Sequence, residues 1–247
     1  MLSLTSNAEI LVGVGLASRL GIAIAVTLLF TLLARWLRGV SVSGAVAGAT
    51  ISFLLYVAAG PGAFVALVSV FALTWLATRF GYRWKQELGT AEKQGGRTGS
   101  QVLANLAAAA ACAGLFALRG KSAFLLGTAA VLSEATADTV SSELGQAQRK
   151  RARLITTWEV VAAGTDGGVS VFGTAAGIAA AILTSLVCSL VRLIPLRRIG
   201  IAVFSAILGM VADSYLGATL ERRKLLNNDW VNFLSTLVAA GIAILLA

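Results

Sequence analysis

The chain of 247 residues contains no histidine, which removes the usual general base and the commonest zinc ligand from its chemistry. Cysteine is nearly as scarce. Cys112 and Cys188 fall inside apolar stretches without metal-ligand spacing, so they read as small packing residues. Asp, Glu, Lys and Arg together make up 13% of the chain, about half the share of a soluble domain. The Walker phosphate loop is absent. Any reaction must therefore run on carboxylates, amides, hydroxyls, Lys, Arg and a bound ion.

What the chain has instead is apolar bulk: 57% of its residues are hydrophobic, and they arrive in long blocks. About 20 helical residues cross an apolar slab of about 30 Å. Most of the 26 glycines sit inside these blocks, where small residues let helices approach closely. The pattern predicts an all-α polytopic transmembrane helix bundle, one integral membrane domain over residues 1–247. Eight spans are expected, at about 9–34, 42–59, 62–82, 101–118, 122–137, 169–191, 199–217 and 231–247. The fifth is short and ends in polar residues, so a half-span or broken helix is expected there. The N-terminus has neither a signal-peptide nor a transit-peptide pattern, so the first span is expected to be retained, in a prokaryotic membrane or a thylakoid.

Threading the chain through these spans places the loops 35–41, 83–100, 138–168 and 218–230 on one side. Those loops hold most of the Lys and Arg, which makes that side cytoplasmic with both termini outside. The cluster Arg192, Arg197 and Arg198 on the opposite side dissents. The net charge of +9 is read as topology signal and headgroup contact rather than nucleic-acid binding, because aromatic interleaving for base stacking is absent. The chain also repeats itself. Residues 39–48 (GVSVSGAVAG) resemble 168–177 (GVSVFGTAAG), and Ala137-Asp138-Thr139 echoes Ala212-Asp213-Ser214. Repeated helix–loop–helix units fit this pattern, although small-residue helices also look alike by composition.

Four polar constellations fall on the predicted cytoplasmic face. The first is Lys85, Lys93, Gly95, Gly96 and Arg97, followed by Gln101 and Asn105. Glycines free N–H groups to face an anion, a helix start adds positive potential, and Lys and Arg neutralise phosphate oxygens; a solvated basic loop is the competing account. Asn105 lies one turn after Gln101 at membrane depth, where an amide lines a cavity or joins two helices. The second is Glu134, Asp138, Ser141, Ser142 and Glu143. Two carboxylates four residues apart share a helix face and need a cation or proton between them. The third is Gly164-Thr165-Asp166-Gly167-Gly168-Val169-Ser170, a glycine-rich approach to a helix in which Thr165 or Asp166 could serve simply as a cap. The fourth joins Asp213, a carboxylate at membrane depth, to Glu221, Asn227, Asn228, Asp229 and Asn232. Cations plus oxygen ligands for a divalent ion are the equipment of phosphoryl transfer.

The blocks GVSVSGAVAG, LGTAEKQGGRTGSQVLAN, ADTVSSELG, GTDGGVSVFGTAAG, ADSYLGATLERR and NNDWVNF lie in order between residues 38 and 236. They resemble the membrane-protein family that includes plant phytyl-phosphate kinase, whose bacterial and archaeal members are mostly labelled a domain of unknown function. The resemblance implies conversion of a phytyl or other prenyl monophosphate to the diphosphate by a nucleoside triphosphate, with CTP the expected donor, in tocopherol-type biosynthesis. It supplies no residue assignment. The residues themselves suggest Asp138, Glu143 and Asp213 as ligands of Mg2+, with Asp138, Asp213, Lys93 and Arg97 at the chemistry. Lys85, Gly95, Gly96, Gln101, Asn105, Ser141, Ser142, Asp166, Gly167, Gly168, Ser170, Asn227 and Asn228 are expected to bind substrate or nucleotide. The expected partners are a lipid phosphate, a nucleoside triphosphate and membrane lipids. A secondary transporter is the alternative, since repeats, broken spans and embedded acids are its signature as well.

Overall fold

A computed structural model of the protein describes residues 15–92, 95–148 and 151–247. Lys93, the start of the expected first span (9–14), and Arg149 and Lys150 lie outside the described residues. The described chain is an all-α polytopic bundle. Its long helices are α1 (Leu16–Trp36), α2 (Val42–Ala59), α3 (Pro61–Arg79), α5 (Gly99–Arg119), α6 (Ser122–Ala147), α7 (Val171–Leu190), α8 (Ile199–Leu216) and α9 (Asn228–Leu245); a short α4 (Tyr82–Glu87) follows α3. Seven of the long helices are long and apolar enough to cross a membrane. The eighth, α6, differs because it is wrapped by the others.

Every residue of α6 from Leu126 to Ala137 is buried. A helix surrounded by protein can carry polar groups if they are satisfied locally. Thr128 and Thr136 donate to carbonyls one turn back, Phe124 (3.1 Å) and Leu132 (2.8 Å), and Ser133 bonds Ser185 of α7 at 2.8 Å. The expectation of a half-span ending at residue 137 is therefore corrected. The helix runs unbroken to Ala147, so Asp138, Ser141, Ser142 and Glu143 project from a helix rather than from a loop. Hydropathy falls after Ala137 because the helix lies in the core and approaches a polar cavity, not because it stops.

The repeat expected from the sequence has a structural counterpart. Helices α2, α5, α7 and α9 each follow a polar loop and begin at a side-chain cap. Ser41 accepts from Gly44 N, Thr98 from Gln101 N, Ser170 from Gly173 N and Asn227 from Trp230 N. Each cap satisfies one of the orphan N–H groups of a helix start. The caps thus lie at the same place in four helix–loop–helix units, α1–α2, α3–α5, α6–α7 and α8–α9. The four loops gather at one end of the bundle. Val40 bridges Arg97, Gly164 packs on Thr90, and Gly167 packs on Ala218.

The loop after α6 holds a small sheet that the periodicity does not reveal. Strands β1 (Ala152–Leu154), β2 (Val160–Val161) and β3 (Gly168–Val169) are ordered β2-β1-β3, with Arg153 opposite Val160 on one side and Val169 on the other. After α8 the backbone widens into a π turn, Gly217–Glu221, a local feature frequent at functional sites.

Candidate active site

Where the loops meet, the bundle encloses a polar cavity of about 250 Å³. Its floor is the C-terminal half of α6, with Asp138, Thr139, Ser141 and Ser142. One wall is the start of α5 (Arg97 before it, then Gln101 and Asn105). The wall opposite is the end of α8 and the start of α9 (Asp213, Ser214, Asn228 and Asn232). The rim is the 163–170 segment with Asp166, Gly167, Gly168 and Ser170. Residues from all four sequence constellations therefore meet in one place. The starts of α5, α7 and α9 border the cavity, and helix starts favour anions.

The acids form the deepest part. Asp138 and Asp213 line the cavity together, close enough to act electrostatically on one another, and Arg97 acts on Asp138 in the same way. Glu134 lies one turn further along α6, 1% exposed, against Gly209 of α8. Two oxygens in this group, Glu134 Oε1 and Asp213 Oδ2, are buried without a hydrogen-bond partner. Arg97 is held from both ends. Its backbone N–H donates to Gly39 O (3.1 Å) and its carbonyl accepts from Ser41 (2.9 Å), while Nη2 donates to Thr139 Oγ1 at 3.1 Å.

Gln101 belongs to the capping box with Thr98, its Oε1 accepting from Thr98 N at 2.7 Å, and Nε2 donates to Glu92 at 3.3 Å. Asn105, 7% exposed, donates to Gln101 O at 2.9 Å and borders both this cavity and its apolar neighbour. Gly167 adopts φ +71° with its Cα face against Ala218, so a side chain there would collide with the backbone that positions the π turn.

Several expected roles change. Lys85 is fully buried and ion-paired with Glu143, and its Nζ also donates to Thr78 O (2.8 Å) and Ala77 O (3.2 Å). Thr78 Oγ1 donates to Glu143 Oε1 at 3.0 Å. All three protons of Lys85 are thus used inside the bundle, and Lys85 itself lines neither cavity. Glu143, though it borders the cavity, is neutralised there instead of joining Asp138 and Asp213. No group of three or more His, Cys, Asp or Glu suited to a metal occurs among the described residues.

Gly96 lines the apolar cavity rather than the polar one. At φ +78° it is buried against the backbone of Arg38, Gly39 and Val40, with Gly39 C 2.5 Å from where a Cβ would stand. Gly95 borders neither cavity. Asn227 caps α9 from an exposed position, whereas Asn228 and Asn232 line the cavity. Ser170, not Thr165 or Asp166, caps α7, its Oγ accepting from Gly173 N at 3.1 Å. Asn232, named in the fourth constellation, lines the cavity, and so does Gln146, which the sequence did not single out and whose Oε1 is buried without a partner. Gln146 sits one turn from Ser142, which was the available signal.

A second, apolar cavity of about 310 Å³ adjoins the first. It lies among α1, α2, α3 and α5, and Arg97, Glu92 and Asn105 border both.

The sequence pattern of an integral membrane protein family, DUF92, matches residues 25–240. The chain is 33% identical to an uncharacterized membrane protein, MJ0933, of Methanocaldococcus jannaschii, over 92% of this chain and 94% of that one. It is 33% identical to Protein VTE6, chloroplastic, of Arabidopsis thaliana, over 84% of this chain and 65% of that protein. An uncharacterized membrane protein of Synechocystis, sll0875, is 33% identical over 77% and 76% of the two chains. No solved structure matches.

Proposed function

The chain belongs to the integral membrane protein family DUF92, and we propose that its polar cavity transfers a phosphoryl group from a nucleoside triphosphate to a prenyl monophosphate, giving the diphosphate. One observation carries the reading. A cation (Arg97), two facing carboxylates (Asp138 and Asp213) and three helix starts surround a cavity that opens beside an apolar one. The resemblance of the sequence blocks to the phytyl-phosphate kinase family supplies the substrate class, with CTP as donor.

In this reaction an oxygen of the lipid monophosphate attacks the γ-phosphorus. A new P–O bond forms as the bond to the β-phosphate oxygen breaks, and the nucleoside diphosphate leaves with that electron pair. The attacking phosphate is already ionised at neutral pH, so no strong general base is required, consistent with a chain that has no histidine. What must be supplied is position and charge neutralisation. Arg97, oriented by Thr139, faces the phosphates; Gln101, Asn105, Asn228 and Asn232 offer amide donors; the 166–170 segment and the α7 start offer backbone N–H groups. Magnesium fits the acid pair. Magnesium binds through one or two carboxylates plus substrate phosphates, and Asp213 Oδ2 is buried without any protein partner. Asp138 and Asp213 would hold the ion, which supplies neutralisation of the triphosphate; Glu143 would not, because Lys85 occupies it. The site lies on the side read as cytoplasmic.

The test compares wild type with Arg97→Lys, following nucleotide-dependent diphosphate formation from a prenyl monophosphate across a magnesium titration. Lys keeps the charge but lacks the planar fork that grips two oxygens at once. A single arginine at such a site can supply about 10³-fold or more, so a loss of this order is expected. Equal rates for the two proteins, or full activity in excess chelator, sink the mechanism.

A further inference from the structure

The apolar cavity is built unlike a gap between helices. One end is ringed by three arginines, Arg38, Arg79 and Arg97, all gathered on the 37–40 segment. Arg79 Nη2 donates to Leu37 O at 2.8 Å and its guanidinium lies 5.1 Å over the Trp75 ring, while Arg97 is bonded to Gly39 and Ser41. From that end the cavity descends between Phe30, Phe71, Val70, Leu106 and Leu67. Phe30 stands edge-on to Phe71 (5.4 Å) and to Phe64 (5.7 Å), which closes the α1–α3 side. Arg79 and Leu67 are twelve residues apart on α3, about 18 Å of helix. One leaflet of the hydrocarbon core is about 15 Å deep. A cavity with cations at its head, apolar walls and the depth of one leaflet matches an anionic amphiphile standing upright.

We infer that this cavity holds the hydrocarbon chain of a single-chain lipid monophosphate, with Arg38, Arg79 and Arg97 around its phosphate and Gly48 setting how much chain it accepts. This rests on the lipid-monophosphate reading above. A volume of about 310 Å³ is at the lower end for one drug-sized ligand, so it suits one chain rather than the two of a diacyl lipid. Because Arg97 borders both cavities, a phosphate bound to it has its chain in the apolar cavity and its free oxygens towards Asp138 and Asp213. Gly48 lies on α2 below the arginines, lines the cavity, and would meet nothing within 4 Å if it carried a Cβ. The space in front of it is therefore open, and a side chain there would take the room of the lipid chain. Gly44, one turn nearer the head, already packs against the Arg97 backbone and has no such freedom.

The experiment measures equilibrium binding to purified full-length protein in nanodiscs, without nucleotide or magnesium. The probes are farnesyl monophosphate, dimethylallyl monophosphate, dioleoyl phosphatidic acid and inorganic phosphate. Wild type is expected to prefer farnesyl over dimethylallyl monophosphate, with phosphatidic acid and inorganic phosphate competing poorly. Gly48→Leu should reduce the farnesyl-to-dimethylallyl preference by on the order of 10- to 100-fold, because a handful of buried methylenes carries that much affinity. Gly48→Ala should give a smaller change in the same direction, and it keeps the test alive if leucine disturbs folding. Gly114→Leu, a span glycine that also faces open space but lines neither cavity, is the control and should change nothing. An unchanged preference in both Gly48 variants, or no chain preference in wild type, overturns the inference; equal competition by phosphatidic acid overturns the single-chain assignment. Binding as described without diphosphate formation from any nucleotide would defeat the kinase reading and leave the lipid site standing. Diphosphate formation indifferent to Gly48→Leu would do the reverse.

Discussion

Lys85 and Glu143 are 58 residues apart in sequence and form an ion pair inside the bundle, with Lys85 wholly buried and the Glu143 side chain 14% exposed. If the pair is structural, removing one partner and removing both should have opposite consequences. Lys85→Met keeps the length of the side chain but leaves Glu143 with the Thr78 hydroxyl and no counter-charge, and frees the carbonyls of Ala77 and Thr78. Breaking a buried pair this way costs about 3–5 kcal/mol. Glu143→Leu strands the ammonium instead, with two carbonyls but no counter-charge, and a loss in the same range is expected. Replacing both partners together with apolar groups of similar size is often neutral or stabilising, so Lys85→Met/Glu143→Leu should recover most of what either single variant loses. The assay is an equilibrium unfolding titration of the four proteins in mixed micelles, read as a double-mutant cycle, with diphosphate formation measured on the same samples. The double variant should also retain activity, because neither group is used in the chemistry proposed here. Additive losses would refute the pair. A Lys85→Met protein that is fully stable yet inactive would return Lys85 to the phosphates.

Asp213→Asn is expected to abolish diphosphate formation while leaving expression and unfolding near wild type, since Asn keeps the shape but not the charge that a divalent ion needs; near-normal turnover would make Asp213 a structural group. For topology, a cysteine placed at Asn227, which is exposed beside the α9 start, should be labelled by an impermeant reagent only from the cytoplasmic side, and exclusive labelling from outside would invert the orientation read from the loop charges.

The spans were legible because lipid-facing helices must be apolar over a full membrane thickness, and seven helices among the described residues meet that condition. The sequence was less informative wherever protein replaces lipid as the solvent. Helix α6 reads as a short span because Glu134, Asp138 and Glu143 depress its hydropathy, yet its neighbours shield it and it continues for 26 residues. The sheet β1–β3 escaped notice for another reason. Its strands are two or three residues long, too few to establish a period of two. Within the candidate site, residues four apart on one helix, such as Gln101 with Asn105 and Glu134 with Asp138, were grouped from spacing alone, and the structure keeps them together. Partnerships across the fold had no such signal. Nothing local distinguishes Glu143 from Asp138, because what separates their surroundings is a lysine contributed by another helix. Gly96 carries the same ambiguity. A glycine needed for close backbone packing and one needed to cradle an anion look identical in sequence.

The transporter alternative turns on what lies beyond the acids. A carrier needs its polar groups near the middle of the membrane, with a route that can open to each face in turn. Here the polar cavity is formed by helix ends and loops at one end of the bundle, and Glu134 is its innermost neighbour. Further along α6, Leu126, Ala129, Ala130, Val131 and Leu132 belong to one continuous apolar cluster with Cys188 and Ala202, every one of them buried. The hydroxyls within this stretch, Thr128 and Ser133, are each bonded inside the protein and offer no free path. Opening a passage would require α6 to part from α7 and α8 along its most tightly buried length, where packed cores resist gradual deformation. Phosphoryl transfer makes no such demand. In the proposed reaction a nucleotide would enter from the polar face, and a lipid phosphate would stand beside it with its chain in the adjoining apolar cavity. Both products would leave the way their precursors came, so a bundle sealed behind Glu134 suits the proposed enzyme better than a carrier.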